Sequence, residues 1–190
     1  MIDAVVIGVS AGGMTALGIL LPCLPAHYKV PVIIVQHSHP GADDFLVRYL
    51  NDRCSLMVKQ AEEKEAVLPG VIYFAPPNYH LLIEMDRSFS LSVEEPVNFA
   101  RPSIDVLFET AAEVYGSKLV GVILTGASAD GASGLMKIKA AGGITVVQDP
   151  RTAEAEIMPK SAISAGDVDF ILPLEAIGKF LGRLSDGVIW

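Results

Sequence analysis

Short runs of consecutive apolar residues recur along this chain, and segments with helical spacing separate them. The clearest runs are Ala4–Ile7, Val30–Val35, Leu119–Leu124 and Ile144–Gln148, and β-branched residues are frequent in them. An unbroken apolar run of this length is typical of a strand buried on both faces, and alternation with helices favours parallel strands. The pattern therefore predicts an α/β fold: a doubly wound, mostly parallel sheet with helices on both faces.

Two shorter runs, Leu81–Glu84 and Phe89–Val93, flank a turn and predict a small antiparallel hairpin. Further strands are predicted at Val71–Ala75 and Asp169–Leu172, and helices at Met14–Leu21, Asp43–Asn51, Ser103–Tyr115, Ala132–Ala141, Ser161–Ser164 and Glu175–Leu184. No repeat or linker divides the chain, so residues 1–190 are expected to form one domain.

The charge balance excludes some classes of protein. The chain has 14 basic and 22 acidic residues and a net charge of −8, with no cluster of Lys and Arg, which argues against nucleic acid as a partner. The apolar runs are too short to insert in a membrane, and no secretory signal precedes the first strand, so a cytoplasmic protein is expected. Cys23 and Cys54 fit no zinc or redox spacing, and no metal is expected.

The turn after the first strand contains the most informative motif. Gly8–Gly13 satisfies G-x-S-x-G between a predicted strand and a predicted helix, the setting that a nucleophile turn requires, with Ser10 as the nucleophile. The backbone N–H of Ala11, the residue after the nucleophile, is then a candidate donor to an oxyanion. The alternative is a phosphate-binding loop, but the dinucleotide motif needs glycine where Ser10 stands.

A histidine follows the second predicted strand. His37 lies one residue beyond Val35–Gln36, at the same sheet edge as Ser10, and is the candidate general base. Its alternative role is a hydrogen-bonded structural histidine. His39 is a weaker candidate for the base, and His80, before the hairpin, is expected to be solvated.

An aspartate lies between the strand that ends near Leu124 and the next helix. Asp130 could accept the Nδ1 proton of His37 and hold the imidazole in place. Its alternative role is the N-cap of the helix from Ala132, and Asp149, which follows Gln148, is the alternate acid. Because parallel strands share one carboxyl edge, the serine, the histidine and an aspartate are expected to meet there.

Several segments together resemble the protein-glutamate methylesterase family, CheB, over nearly the whole chain and in the family's order. The matching segments are Val6–Gly13, Val35–His37, Val67–Pro76, Arg101–Phe108, Gly121–Gly126 and Asp130–Ala132.

The resemblance implies that Ser10 is the nucleophile, His37 the base and Asp130 the acid that orients it. It implies a carboxylic ester hydrolase that removes glutamyl γ-methyl esters from chemoreceptors and releases methanol, with glutamine deamidation as a companion activity. It also implies the Ala127 N–H as a second oxyanion donor and no cofactor. Arg101 is a hypothetical contact to the acidic receptor substrate; the alternative is that it pairs with a surface acid.

The chain departs from the family at Ala11, Ala127 and Ala129, where threonine, methionine and asparagine are usual. The given sequence shows no receiver domain before the first strand, which leaves two alternatives: an esterase that is regulated by a separate receiver protein or a methyltransferase, or a fragment of a longer protein. Two other hypotheses stay open at this point: a non-catalytic scaffold derived from the esterase, and a nucleotide-binding module that uses Gly8–Gly13 for phosphate.

Overall fold

The computed structural model describes residues 1–39 and 41–186. Positions 40 and 187–190, which the predicted domain includes, lie outside the described residues. The strands are β1 (Ala4–Val9), β2 (Val32–Gln36), β3 (Met57–Gln60), β4 (Val71–Phe74), β5 (His80–Ile83), β6 (Phe89–Ser92), β7 (Leu119–Ile123), β8 (Ile144–Gln148) and β9 (Phe170–Leu172). The helices are α1 (Gly13–Leu20), α2 (Phe45–Asn51), α3 (Ile104–Tyr115), α4 (Ala132–Ala140), α5 (Ile157–Ala165) and α6 (Leu174–Arg183).

Seven strands form one parallel sheet in the order β3-β4-β2-β1-β7-β8-β9. β5 and β6 form a separate antiparallel pair, in which His80 lies opposite Ser92. The predicted doubly wound architecture with a small hairpin is therefore confirmed.

Each face of the sheet has its own apolar core, because successive side chains of a strand point to opposite faces. In β1, Val5, Ile7 and Val9 pack with residues of α1, α2 and α6. Ala4 and Val6 pack on the other face with residues of α3, α4 and α5. All six residues of β1 are buried, which explains its unbroken apolar sequence.

The two central strands lie at the point where the winding reverses. β1 pairs with β2 on one side and with β7 on the other. The chain leaves β1 toward β2 but leaves β7 toward β8, so the two connections diverge. In open α/β sheets, this divergence opens a crevice beyond the carboxyl ends of the two strands, where ligands bind.

Some local predictions differ from the structure. β3 was not predicted: Val58 is buried, but Met57 is exposed and polar residues complete this edge strand. α5 begins at Ile157 and not at Ser161, because Pro159 lies in the first turn, where a missing N–H costs nothing. Cys23 and Cys54 are free thiols. Within residues 1–39 and 41–186, no helix has the length and apolarity needed to cross a bilayer.

Candidate active site

The turn that carries Ser10 is fixed by its backbone. Ser10 N–H donates to Thr125 O at 3.0 Å, and Gly13 N–H donates to Ser10 O at 2.9 Å. Gly12 has φ 79°, which glycine adopts without strain. A Cβ at Gly13 would lie 1.8 Å from Gln36 Oε1, so this position has no room for a side chain. The sequence motif therefore folds into a tight strand-to-helix turn.

Thr125, at the end of β7, holds the other side of this turn. Its Oγ1 donates to Ala11 O at 2.8 Å and accepts from Ala155 N–H at 2.9 Å. Its N–H donates to Oε1 of the buried Gln148 at 2.9 Å. The loop after β8 and the turn after β1 are thus held together by one hydroxyl group.

His37 lies beside Ser10 because β1 and β2 are neighbours. His37 N–H donates to Val9 O at 3.0 Å. The amide nitrogen of Gln36 donates to Ser10 O at 3.0 Å and to His37 O at 2.9 Å, and so joins the two segments. Ser10 and His37 both line an open groove of about 540 Å³. Within the described part of the chain, no hydrogen bond joins Ser10 Oγ to the His37 ring, which contacts Asp130 instead.

His37 Nε2 lies 2.8 Å from Asp130 Oδ2, so the structure brings these two predicted residues together. The ring nitrogen differs from the expected one: Nε2 and not Nδ1 faces the carboxylate, which leaves Nδ1 for a proton from the groove. The His37 side chain is 15% exposed and that of Asp130 is 0% exposed. The imidazole can therefore reach the groove while its partner is shielded from water.

Asp130 accepts hydrogen bonds from four further groups. They are Asn98 Nδ2 at 3.0 Å, Ser103 Oγ at 2.8 Å, Ile104 N–H at 2.6 Å and Asp105 N–H at 3.3 Å. Burial by itself would raise the pKa of Asp130, but the hydrogen bonds from His37, Asn98, Ile104 and Ser103 outweigh it and lower the pKa below its ordinary value. Asp130 is therefore held ionised beside the imidazole.

The alternative prediction, that Asp130 is the N-cap of α4, names the wrong helix. α4 begins after Gly131 without a side-chain cap. Asp130 instead accepts from the first two N–H groups of α3. Ser103, which directly precedes α3, makes no side-chain capping bond and donates its hydroxyl to Asp130. Asp130 is thus both the partner of His37 and the cap of a helix 26 residues earlier in the chain.

The other candidates for the base and the acid lie apart from this pair. Asp149 contacts Arg151, with its Oδ1 3.0 Å from Arg151 Nε. His39 is exposed, and its Nδ1 accepts from Gly41 N–H. The prediction that His80 is solvated is wrong: it is 2% exposed, and it contacts Glu95 O and Ser103 N–H.

The predicted oxyanion donors, Ala11 and Ala127, follow the two central strands β1 and β7. Ala11 lines the groove with Ser10. In the described residues, neither the Ala11 N–H nor the Ala127 N–H donates a backbone hydrogen bond, whereas the neighbouring Gly126 N–H donates to Ala155 O. Within the described residues, both amides are therefore free to donate to another group.

Arg101 lines an adjacent cavity of about 320 Å³ that His37 also lines. Its guanidinium donates to Asn78 Oδ1, Val93 O and Glu94 O. No described carboxylate forms an ion pair with it, so the alternative role as the partner of a surface acid is not seen among the described side chains. Most of its donors are used to hold the segments around Asn78 and Glu94.

Residues that the sequence did not single out also shape the site: Gln36, Asn98, Thr125, Gln148 and Glu154. The Glu154 side chain lies over Gly12 and lines the groove with Ser10. Gln36 and Gln148 had a sequence signal, since each is a polar residue at the end of an apolar run. No group of three or more metal-ligating side chains comes together within residues 1–39 and 41–186.

Comparisons with known proteins identify the family of this chain. The family model described as CheB methylesterase matches residues 5–181. A putative protein-glutamate methylesterase/protein-glutamine glutaminase of Leptospira interrogans is 57% identical over 96% of this chain and 95% of its own length. The protein-glutamate methylesterase/protein-glutamine glutaminase of Thermotoga maritima is 40% identical over 95% of this chain, which covers 53% of that protein.

The crystal structure of the Thermotoga maritima CheB methylesterase catalytic domain superposes on this chain with a TM-score of 0.92 and 38% identity. The match covers 97% of this chain and 99% of that domain. The sequence motifs, the fold and these relatives agree, and the chain belongs to the CheB methylesterase family.

Proposed function

We propose that this chain is a serine hydrolase that removes methyl groups from glutamate side chains of chemoreceptors and releases methanol. Deamidation of receptor glutamines by the same site is part of the proposal, since the relatives carry both activities in their names. The observation that carries it is the contact between the partly buried His37 and the fully buried Asp130, next to Ser10 in the groove beyond the ends of β1 and β2.

In the proposed reaction, His37 Nδ1 removes the proton of Ser10 Oγ, which attacks the ester carbonyl. Asp130 stabilises the imidazolium through Nε2. Methanol leaves with the proton from His37, and water then cleaves the glutamyl-enzyme by the reverse use of the same groups. Ser10 Oγ has to turn toward His37 when substrate binds, a rearrangement that is common at catalytic hydrogen bonds.

The oxyanion is proposed to accept from the N–H groups of Ala11 and Ala127. Both amides are unpaired within the described chain, and the carbonyl of Ala11 is fixed by Thr125. Donors held in place before the reaction need no reorganisation when the negative charge develops. The chemistry therefore requires no metal or organic cofactor.

A nucleotide-binding role for Gly8–Gly13 is less consistent with the site. A phosphate at the N-terminus of α1 would lie close to Gly12, where the Glu154 side chain already lies. The negative charges of the phosphate and of the Glu154 carboxylate would then repel one another. We therefore favour the hydrolase over the phosphate-binding alternative.

Receptor recognition is proposed to be local, with Arg101 as a substrate contact beside His37. The net charge of −8 gives no general attraction to acidic receptor helices. A receiver protein or a methyltransferase is proposed as a regulatory partner, and the cytoplasm as the location, because the reaction requires access to the methylated receptor segments.

The test is methanol release from methylated receptor by wild type and by Ser10→Ala. We expect the variant to lose all but a trace of activity, since loss of a triad nucleophile costs several orders of magnitude. Ser133→Ala is the matched control, because Ser133 is an exposed serine on α4. A fluorophosphonate probe should label the wild type and the control but not Ser10→Ala. Retention of more than about a tenth of the activity would rule out Ser10 as the nucleophile.

A further inference from the structure

Asn98 lies in a tight turn next to the site. Val97 and Ala100 exchange backbone hydrogen bonds of 3.1 and 2.9 Å around it. Asn98 and Phe99 have φ of 51° and 63°, the left-handed region that asparagine tolerates better than most residues. Asn98 is exposed as a residue, but its side-chain amide reaches two buried carboxylates, while Phe99 is fully exposed at the tip of the turn.

The amide of Asn98 bridges two carboxylates. Its Nδ2 lies 2.8 Å from Asp105 Oδ2 and 3.0 Å from Asp130 Oδ1. A primary amide nitrogen carries two protons, so one is available for each carboxylate. Asp105 is 7% exposed and Asp130 is 0% exposed, so water does little to screen their mutual repulsion.

Asp105 and Asp130 cap each other's helices. Asp130 precedes α4 and accepts from the first two N–H groups of α3. Asp105, in the first turn of α3, accepts from Gly134 N–H in the first turn of α4 at 2.6 Å. Helix N-termini stabilise both negative charges, but they also fix the two carboxylates close together. Burial, together with the charge of Asp130, raises the pKa of Asp105.

We propose that Asn98 is a positioning residue for the hydrolase: it holds Asp130 ionised and oriented toward His37 by separating it from Asp105. The proposal rests on the proposed function, in which Asp130 acts through His37. Within the described residues, no other side chain donates to both carboxylates. Without Asn98, no described side chain donates to both carboxylates, so their repulsion increases and protonation of one of them becomes more favourable.

The test compares Asn98→Gly with Lys64→Gly. Glycine keeps the left-handed backbone at either position and removes the side chain. Lys64 has φ 64° but is exposed and contacts only Glu63 among the described side chains, so it controls for the change of backbone. We expect Asn98→Gly to lower kcat about tenfold to a hundredfold, with KM unchanged, and Lys64→Gly to match the wild type.

The pH dependence distinguishes positioning from general damage. Among the described residues, the titratable side chains that interact with Asp130 are the His37 ring and the Asp105 carboxyl. Loss of Asn98 is expected to raise the pKa of Asp130, so the acid limb of the kcat profile should move to higher pH. Adding Asp105→Asn to Asn98→Gly should return the limb toward the wild type, because it removes the repelling charge and supplies an amide next to Asp130. A purely structural loss would not be rescued in this way.

A readout without substrate keeps this inference separate from the proposed function. The carboxyl ¹³C resonance of Asp130 reports its titration in the wild type and each variant, even if the chain has no esterase activity. An unchanged titration in Asn98→Gly, or no rescue by Asp105→Asn, would overturn the proposal. If Asn98→Gly does not fold, Asn98→Asp, which the left-handed conformation also tolerates, takes its place and should shift Asp130 further, because it adds a third carboxylate.

Discussion

Asp130 and Asp149 occupy similar places in the topology, since each follows a strand at the carboxyl edge of the parallel sheet. Asp130 is fully buried and accepts from His37 and four other donors. Asp149 accepts from the backbone and side chain of Arg151, whose own side chain is 88% exposed. The two aspartates therefore share a position at the carboxyl edge of the sheet. The hydrogen-bond donors that other helices and loops supply decide which of the two carboxylates can assist a base.

The largest expected difference between the two aspartates is in turnover. Asp130→Asn should lower kcat by about 10³ to 10⁴, because an amide cannot stabilise the imidazolium as a carboxylate does. Asp149→Asn should leave kcat within about twofold. Both are measured by methanol release, with circular dichroism to establish that each variant is folded. An equal loss of kcat in the two variants would contradict the assignment of Asp130, and not Asp149, as the partner of the base.

A second difference is expected in stability. Asp130→Ala leaves Ser103 Oγ and the N–H groups of Ile104 and Asp105 buried without their acceptor. We expect it to lower the free energy of unfolding by about 3 kcal/mol. Asp149→Ala should have a much smaller effect, because its partner is exposed and solvent screens their attraction. Urea unfolding of both variants measures the difference, and a larger loss at Asp149 would contradict it.

The smallest expected effect is the dependence of that stability on pH. The pKa of Asp130 is lowered, because its hydrogen bonds outweigh its burial. Asp130 therefore binds a proton less readily in the folded state than in the unfolded state as the pH falls toward the ordinary pKa of an aspartate. The advantage of wild type over Asp130→Asn should be constant near neutral pH and should narrow as the pH falls below about 4. Urea unfolding across this range tests the sign; an advantage that grew on acidification would contradict it.

The sequence predicts which strand ends carry the site residues better than it predicts the contacts among those residues. Ser10 and His37 follow buried strands whose composition is unmistakable, and parallel strands bring their ends to one edge. The direction of the His37 ring depends on where Asp130 lies, and this depends on the docking of α3 against α4. No local pattern encodes a cap that one helix receives from the loop before another, so the sequence assigned Asp130 to the wrong helix.

The other features that the sequence did not predict also depend on tertiary contacts. The bridge made by Asn98 joins two carboxylates that lie 7 and 32 residues away in sequence, and no spacing rule indicates it. β3 lies at the edge of the sheet, where one buried valine suffices and the hydrophobic signal is weak. His80 was expected to be solvated from its place before a hairpin, but packing by the segment around Ser103 buries it.

Because β1 pairs with β7, the site can form only late in folding, when distant parts of the chain have come together. Thr125 and Ala11 are 114 residues apart in sequence, and His37 and Asp130 are 93 apart. Closing loops of this length costs entropy that only the finished core repays. The part of the chain before β7 holds Ser10 and His37, and the part from β7 onward holds Asp130 and the backbone partner of the Ser10 turn, so neither part holds the complete site. A fragment that ends before β7 would keep the Ser10 motif in its sequence and have neither the acid nor the backbone partner of the turn.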